Sequence, residues 1–229
     1  SFISSKILAE LPFQPTSQQE ELIEKLGEFL MSVDKEKLFL LKGYAGTGKT
    51  SVVSALVRAM NTLQQKTLLL APTGRAAKVI SGYSGFPAFT IHKKIYRQKS
   101  MSEFSFQIAD NLHNNTLFIV DEASMISNVG TDSAFGSGRL LDDLIHFVYS
   151  GEGCSLLLLG DTAQLPPVMQ PHSPALEKEK LESYGLKLHQ YTLTHVVRQA
   201  LESGILHNAT RLREMLIEEN TAKFPVFEL

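Results

Sequence analysis

Residues 39–51 constrain the fold of this chain more than any other stretch. An apolar run at residues 38–41 predicts a buried strand, and the spacing Gly43-x-x-x-x-Gly48-Lys49-Thr50 then leads into a helical pattern. Glycines let the backbone curl so that successive N–H groups point inward, an arrangement that suits phosphate oxygens. A helix beginning near Lys49 adds its positive end at the same place. This strand, loop and helix predict a P-loop that binds a nucleoside triphosphate.

The side chains of this loop have distinct expected roles. Lys49 should reach the β- and γ-phosphates of ATP, and the Thr50 hydroxyl should bind Mg²⁺. A chance glycine-rich turn is the alternative, which the length of the match and its strand–loop–helix context disfavour. The residues expected to hold the nucleotide are Gly43, Ala45, Gly46, Thr47, Gly48, Lys49, Thr50 and Ser51.

Short apolar runs alternate with one-sided helical patterns along the rest of the chain. Further buried strands are predicted at residues 67–71, 116–120, 155–159 and 187–193. Such alternation is typical of βαβ units and a parallel sheet. The chain has 229 residues and is 43% hydrophobic, so it can bury a sizeable core. We therefore expect one α/β domain over residues 1–229, with a mainly parallel central sheet flanked by helices.

Net charge, cysteine content and the length of the apolar runs limit the expected binding partners and cellular compartment. The net charge of −2 argues against a generally basic nucleic-acid binder, so any such binding must come from a local patch. Cys154 is the single cysteine, so no internal disulfide can form, as is usual in a reducing compartment. No apolar run approaches membrane-spanning length. A cytoplasmic protein without a membrane partner is the expectation.

Residues 75–99 form such a local patch. They carry six Lys or Arg residues and no Asp or Glu, which leaves a net charge of −8 on the remainder. The interleaved aromatic residues are Tyr83, Phe86, Phe89 and Tyr96. Cations suit phosphates and aromatic faces suit stacked bases, as in single-stranded nucleic-acid binding. A solvated charged surface with its aromatic rings turned inward explains the same composition, and the composition leaves both interpretations open.

Two strand ends carry candidate catalytic groups. The predicted strand at 116–120 ends in Asp121 and Glu122, where parallel sheets place active-site groups. Asp121 can hold Mg²⁺ through water, and Glu122 can orient and deprotonate an attacking water. Gln164 follows the strand at 155–159 and could contact a phosphate or that water. Solvated loop carboxylates are the alternative, made less favourable by the P-loop upstream.

Taken together, these segments resemble the superfamily 1B DNA helicases, the subgroup with RecD-like, Pif-type and Dda-like enzymes. The motifs that carry the resemblance are GYAGTGKT, APTGRAAK, Thr90-Ile91-His92, VDEAS, GDTAQLPPV and LTHVVRQ, in that order. Superfamily 2 helicases would carry a Ser-Ala-Thr element in place of GDTAQLPPV. The resemblance implies a RecA-like P-loop NTPase domain that couples ATP hydrolysis to 5′–3′ translocation on single-stranded DNA.

The resemblance also assigns individual roles. Gln19 matches a glutamine that contacts adenine, although the adjacent Gln18 leaves the alignment open by one residue. Arg198 matches an arginine finger that contacts the γ-phosphate. Gln164 matches a residue that senses the γ-phosphate. The residues that fall on or beside the DNA-contacting motifs are Pro72, Thr73, Arg75, Lys78, Thr90, His92 and Lys93.

The resemblance also implies how the domains are organised. A short insertion at about residues 93–115 occupies the place of the strand-separating pin domain. Nothing after residue 200 resembles the second RecA-like domain, so the chain is expected to be the N-terminal motor half, with that domain as its partner. Two other functions remain open: a superfamily 1 RNA helicase domain, and a nucleotide-switched binding module without motor activity.

Overall fold

A computed structural model describes residues 1–100, 103–130 and 134–197. Within these ranges a six-stranded sheet consists of β1 (Lys37–Gly43), β2 (Lys66–Ala71), β3 (Ala88–Thr90), β6 (Thr116–Val120), β7 (Ser155–Gly160) and β8 (Lys187–Leu193). The strand order is β3-β2-β6-β7-β1-β8, and each neighbouring pair is parallel. The five strands predicted from apolar runs are all present, and the mainly parallel sheet is confirmed.

Helices cover both faces of the sheet. They are α1 (Phe2–Ala9), α2 (Ser17–Met31), α3 (Lys49–Thr62), α4 (Gly74–Ser84), α5 (Ile91–Ile95), α6 (Leu140–Tyr149) and α7 (Lys178–Glu182), with 3₁₀ turns at Ala123–Met125 and Pro174–Leu176. Successive strand residues point to opposite faces, so Phe39 and Leu41 pack with α2 and α3, whereas Leu38 and Leu40 pack with α5 and α6. Both faces are buried, which explains the continuous apolar runs.

A second, two-stranded sheet projects after α5. Its antiparallel strands are β4 (Tyr96–Ser100) and β5 (Glu103–Ile108), within the stretch expected to hold the pin-like insertion. The Phe106 N–H donates to the Ala134 carbonyl (2.7 Å), and the Gly136 N–H donates to the Phe106 carbonyl (2.8 Å). The segment 134–138 is therefore held against the hairpin by backbone hydrogen bonds.

The strand order brings three chain segments to one edge of the sheet. β1 lies beside β7, and β7 lies beside β6, all running in the same direction. The loops that leave their carboxyl ends therefore meet, as in other open parallel sheets with a ligand crevice at that edge. In the described part of the chain, no helix combines the length and apolar character needed to cross a membrane.

Candidate nucleotide and nucleic-acid sites

A cavity of about 270 Å³ opens at the carboxyl ends of β1, β6 and β7. Its lining residues are Tyr44, Ala45, Gly46, Gly48, Lys49, Thr50, Ser51, Tyr83, Asp121, Glu122, Gly160, Asp161 and Gln164. The fold thus brings together most of the residues expected to bind or hydrolyse a nucleotide. Gly43, Thr47 and Gln19 do not line the cavity. Thr47 and Gln19 are buried behind its wall, and each is 1% exposed.

The P-loop backbone has the conformation that its glycines predict. Gly46 and Gly48 have φ angles of 77° and 86°, a region that residues with a Cβ rarely adopt. Lys49 lies at the start of α3, and its Nζ donates to the Tyr44 carbonyl (2.9 Å) and the Gly43 carbonyl. The ammonium group therefore lies inside the loop, where a bound β- or γ-phosphate would replace backbone carbonyls as its partner.

Gln19 supports the P-loop from behind. Its Oε1 accepts from the Thr16 N–H (3.0 Å) in a capping box that begins α2, and its Nε2 donates to the Thr47 carbonyl (3.2 Å). A Cβ added to Gly48 would lie 2.3 Å from this Nε2, so glycine is also required there sterically. Gln18 instead accepts from the N–H groups of Thr194 and His195 (3.0 Å each). The adenine-contacting role of Gln19 stays a prediction.

Asp121 and Glu122 follow β6 and lie on the cavity wall. The pKa of Asp121 is raised to about 6, chiefly by burial and also by the neighbouring Glu122 carboxylate; the Glu122 N–H (2.9 Å) and the Lys49 ammonium act in the opposite direction. The Glu122 backbone is in the left-handed region, with φ of 54°. Non-glycine residues in this region often mark functional sites. A carboxylate that burial disfavours is well suited to a cation.

Replacing Asp121 with asparagine should stabilise the nucleotide-free chain by about 1–3 kcal/mol near neutral pH. Asparagine keeps an oxygen for the Glu122 N–H but removes the buried charge. The folded pKa, about 6, lies above the usual value of 3.8. The wild-type chain therefore loses stability as pH rises through this window, and the advantage of the variant should shrink as pH falls. Denaturation across this pH range measures the effect.

The exposed Asp110, paired with Arg97 (3.2 Å), provides the matched control. Asp110→Asn should not stabilise the chain at neutral pH, because that carboxylate is not buried. An identical pH dependence of stability in wild type and Asp121→Asn would contradict the buried-charge interpretation.

Gln164 is connected to the segment that follows Glu122. Its Oε1 accepts from the hydroxyl of Ser124, which is fully buried within the 3₁₀ turn. Asp161 also lines the cavity, is 5% exposed, and accepts from the Ala163 N–H (2.8 Å). The loop after β7 therefore presents an amide and a second buried carboxylate to the nucleotide cavity.

Arg198 lies outside the described residues, so its predicted role stays a prediction. The chain immediately before it approaches the P-loop: the Val197 N–H donates to the Gly46 carbonyl (3.0 Å). The spacing of Ile205, Ala209, Leu212 and Leu216 predicts a further helix, and these residues also lie outside the described part of the chain.

A second cavity, also of about 270 Å³, lies beside the residues that are expected to contact DNA. Its lining residues are Pro72, Thr73, His92, Tyr96, Met125, Ser127, Val129, Phe135, Gly138 and Leu140. Thr73 and Thr90 cap α4 and α5, accepting from the N–H groups of Ala76 and Lys93 (3.2 Å each). The side chains of Arg75, Lys78 and Lys93 are exposed.

The four aromatic residues of the basic patch differ in their surroundings. Tyr96 is 8% exposed, and Phe86 and Phe89 pack partly against the core. Tyr83 is 65% exposed but lines the nucleotide cavity. The inward-facing interpretation therefore describes three of the four rings.

Several lining residues were not predicted from the sequence. Tyr44 and Asp161 lie inside two of the predicted motifs, but no role was expected for either of them. Phe135 lies in the second cavity, and its one signal was an aromatic side chain within a stretch of small and polar residues. Local patterns cannot assign such a residue, because its contacts come from the hairpin of β4 and β5.

The chain matches known proteins in sequence and in fold. The profile of a family described as an AAA domain matches residues 15–223. The ATP-dependent RecD2 DNA helicase of Deinococcus radiodurans is 30% identical over 196 residues, which cover 85% of this chain and 24% of that protein. The ATP-dependent DNA helicase RRM3 of Saccharomyces cerevisiae is 28% identical over 233 residues, which cover 92% of this chain and 29% of that protein.

Among solved structures, the Pif1 helicase from Candida albicans matches with a TM-score of 0.54 and 18% identity, over 93% of this chain and 45% of that chain. This match confirms the expected RecA-like P-loop fold. The chain spans about a quarter of the length of the two curated relatives, 24% and 29%.

Proposed function

Since the chain belongs to the AAA domain family and is a RecD- and Pif-like helicase domain of superfamily 1B, we propose that it couples ATP hydrolysis to movement along single-stranded DNA. The observation that carries this proposal is the meeting of Lys49, Asp121 and Glu122 around one cavity at the carboxyl edge of the sheet. A phosphate-binding loop, a metal-binding carboxylate and a general base are the parts that phosphoryl transfer to water requires.

The residues present fit a magnesium ion. Thr50 and Asp121 both line the cavity, and hydroxyl and carboxylate oxygens are ligands that Mg²⁺ prefers. Thr50 and Asp121 would hold the ion, and it would supply positive charge that offsets the charge of the phosphates. Mg²⁺ binds the ionised form of Asp121, so the raised pKa of this group should make Mg·ATP affinity increase as pH rises through about 6.

Hydrolysis requires a positioned water as well as a held phosphate. Glu122 is placed to orient this water and accept its proton, and Gln164 lies on the same cavity wall. The Ser124 hydroxyl holds the Gln164 amide oxygen, so the amide NH₂ group is the part of this side chain that can donate to the γ-phosphate.

A short segment connects the two cavities. Asp121 and Glu122 line the nucleotide cavity, and Met125 and Ser127 of the same segment line the second one. Only Ala123 and Ser124 separate Glu122 from Met125, so a change at Glu122 when the γ-phosphate leaves has a short path to the second cavity. This short connection supports coupling between hydrolysis and nucleic-acid contact.

Exposed apolar residues after β7 support a second RecA-like domain as a partner. Leu165, Val168 and Met169 are 88%, 88% and 83% exposed beside the nucleotide cavity. Three neighbouring large apolar side chains at such exposure are typical of an interaction surface. We assign residues 1–229 to one motor domain and the hairpin of β4 and β5 to its pin-like insertion.

Reversing the charge of Lys78 and Lys93 to glutamate should weaken single-stranded DNA binding equally for all sequences. Each phosphate contact contributes about 0.7 to the slope of log affinity against log salt, so the slope should fall by about one to two units. Fluorescence anisotropy across a salt series measures this change. ATP affinity should be unaffected, because neither lysine lines the nucleotide cavity.

The matched control reverses Lys66 and Lys187, two exposed lysines at the amino-terminal ends of β2 and β8. This variant has the same net charge but should retain the wild-type slope. Wild-type affinity across the salt series in the folded Lys78→Glu/Lys93→Glu variant would exclude the basic patch from the nucleic-acid track.

Stimulation of ATP hydrolysis by single-stranded DNA tests the proposed function directly. We expect DNA to increase the rate and RNA to do so less. Stronger stimulation by RNA would favour the RNA helicase domain. Absence of hydrolysis with intact nucleotide binding would favour the nucleotide-switched module, a function that needs neither Glu122 nor Gln164.

A further inference from the structure

We propose that the second cavity, between α5 and the segments 125–130 and 134–140, holds one nucleobase of single-stranded DNA, with Phe135 as its stacking partner. This inference rests on the proposed function and adds a residue that stacks on the base. The sequence motifs place Pro72, Thr73 and His92 near DNA but do not include Phe135.

The cavity is suited to a base rather than to a phosphate. Within the described residues its lining contains no Lys, Arg, Asp or Glu, and it combines aromatic and aliphatic carbon with the hydroxyls of Thr73 and Ser127. Its volume of about 270 Å³ lies below the usual range for drug-sized ligands, about 300–1,000 Å³. A single base is a ligand of suitable size and polarity.

Positively charged side chains outside the cavity are suited to the phosphate groups of the DNA strand. Lys93 follows His92 on α5, and Arg75 lies in the first turn of α4, two residues after Thr73. Both side chains are exposed, and residues 75–99 contain no carboxylate. A neutral cavity bordered by positive charge complements a nucleotide, whose base is neutral and whose phosphate is negative.

Phe135 lies at the centre of an aromatic cluster. Its ring stacks on Phe106 with centroids 4.6 Å apart and an interplanar angle of 13°. His92 meets the same ring edge-on at 5.2 Å, and Tyr96 lies at 5.4 Å. His92 and Tyr96 line the cavity with Phe135. The rings therefore come from three segments: α5, the hairpin, and residues 134–138.

A buried carboxylate fixes this cluster in place. Asp143 of α6 is 3% exposed and accepts from the Tyr96 hydroxyl (2.6 Å), the Ser137 hydroxyl (2.6 Å) and the Ser137 N–H (3.0 Å). Between these partners Gly136 has φ of 50°, and a Cβ there would lie 2.2 Å from Asp143 Oδ2. Phe135 is thus held beside the cavity before any base enters, which lowers the entropic cost of stacking.

Replacing Phe135 with alanine should weaken oligothymidylate binding about 5- to 150-fold, the range for loss of one base–aromatic stack. The salt slope should not change, because no phosphate contact is lost. Phe135→Leu preserves apolar contact with Phe106 and should show a similar loss if stacking, rather than packing, is responsible. Phe2→Ala removes an aromatic ring that is 65% exposed on α1, and should leave affinity unchanged.

A scan with abasic nucleotides identifies the base. Oligothymidylates that each lack one base at a successive position are titrated against wild type and Phe135→Leu. At one position the losses should be non-additive, because either change alone already removes the same stack. At the other positions the two losses should add.

The possible results separate this inference from the proposed function. Wild-type DNA affinity in folded Phe135→Leu, or additive losses at every position, would overturn the base-binding cavity while leaving the motor function intact. Failure of the wild-type chain to bind single-stranded DNA would overturn both. A loss of affinity accompanied by a flatter salt slope would show that Phe135 acts through phosphate contacts, and would also reject the stack.

Discussion

Replacing Glu122 with glutamine should lower the rate of ATP hydrolysis about 10²- to 10⁴-fold and leave ATP affinity nearly unchanged. Glutamine has the size and shape of glutamate but cannot take a proton from the attacking water. The Glu122 N–H would still donate to Asp121 (2.9 Å), because that bond comes from the backbone. Phosphate release under single-turnover conditions measures the chemical step, and nucleotide titration measures binding.

Glu152 offers a matched control for this substitution. It is exposed, precedes β7, and lies at the opposite edge of the sheet from the cavity. Glu152→Gln should hydrolyse ATP at the wild-type rate. Unimpaired turnover in Glu122→Gln would exclude this residue as the general base. Asp161, the carboxylate of the nucleotide cavity that has no assigned function, would then be the next candidate.

Replacing Lys49 with alanine should weaken ATP binding about 10- to 150-fold, which corresponds to the loss of one hydrogen bond to a charged group. In the structure the ammonium donates to the carbonyls of Gly43 and Tyr44. Bound phosphates would replace these carbonyls. Because the predicted contacts are to the β- and γ-phosphates, ATP and ADP affinity should fall while AMP affinity changes little. Calorimetric titration with the three nucleotides measures the pattern.

Lys66→Ala is the control for the lost charge. Lys66 is exposed at the amino-terminal end of β2, where it donates to Asn114 Oδ1 (2.6 Å), and it does not line the nucleotide cavity. It should bind all three nucleotides as wild type does. An equal loss of AMP and ATP affinity in Lys49→Ala would indicate a distorted loop rather than a missing phosphate contact.

The strands and the P-loop were predictable because their signals are local. Each buried strand is a continuous apolar run, and the sheet is parallel with both faces covered, so the pattern and the architecture agree. The loop between Gly43 and Thr50 depends on residue spacing and on glycine conformation, both of which are properties of adjacent residues. Asp121 and Glu122 were identified in the same way, from their position directly after an apolar strand.

The tertiary structure decided which side chains share a cavity. Gln19 is buried behind the P-loop because its amide completes the N-terminal cap of α2 and holds the Thr47 carbonyl. Tyr83 lines the nucleotide cavity because α4 packs on α3, although the composition around Tyr83 suggested nucleic acid. Phe135 was invisible to pattern analysis because Phe106 and His92, which define its surroundings, lie 29 and 43 residues earlier in the chain. Backbone conformation follows from neighbouring residues, whereas the direction and contacts of a side chain depend on segments that meet only when the sheet and its hairpin have formed.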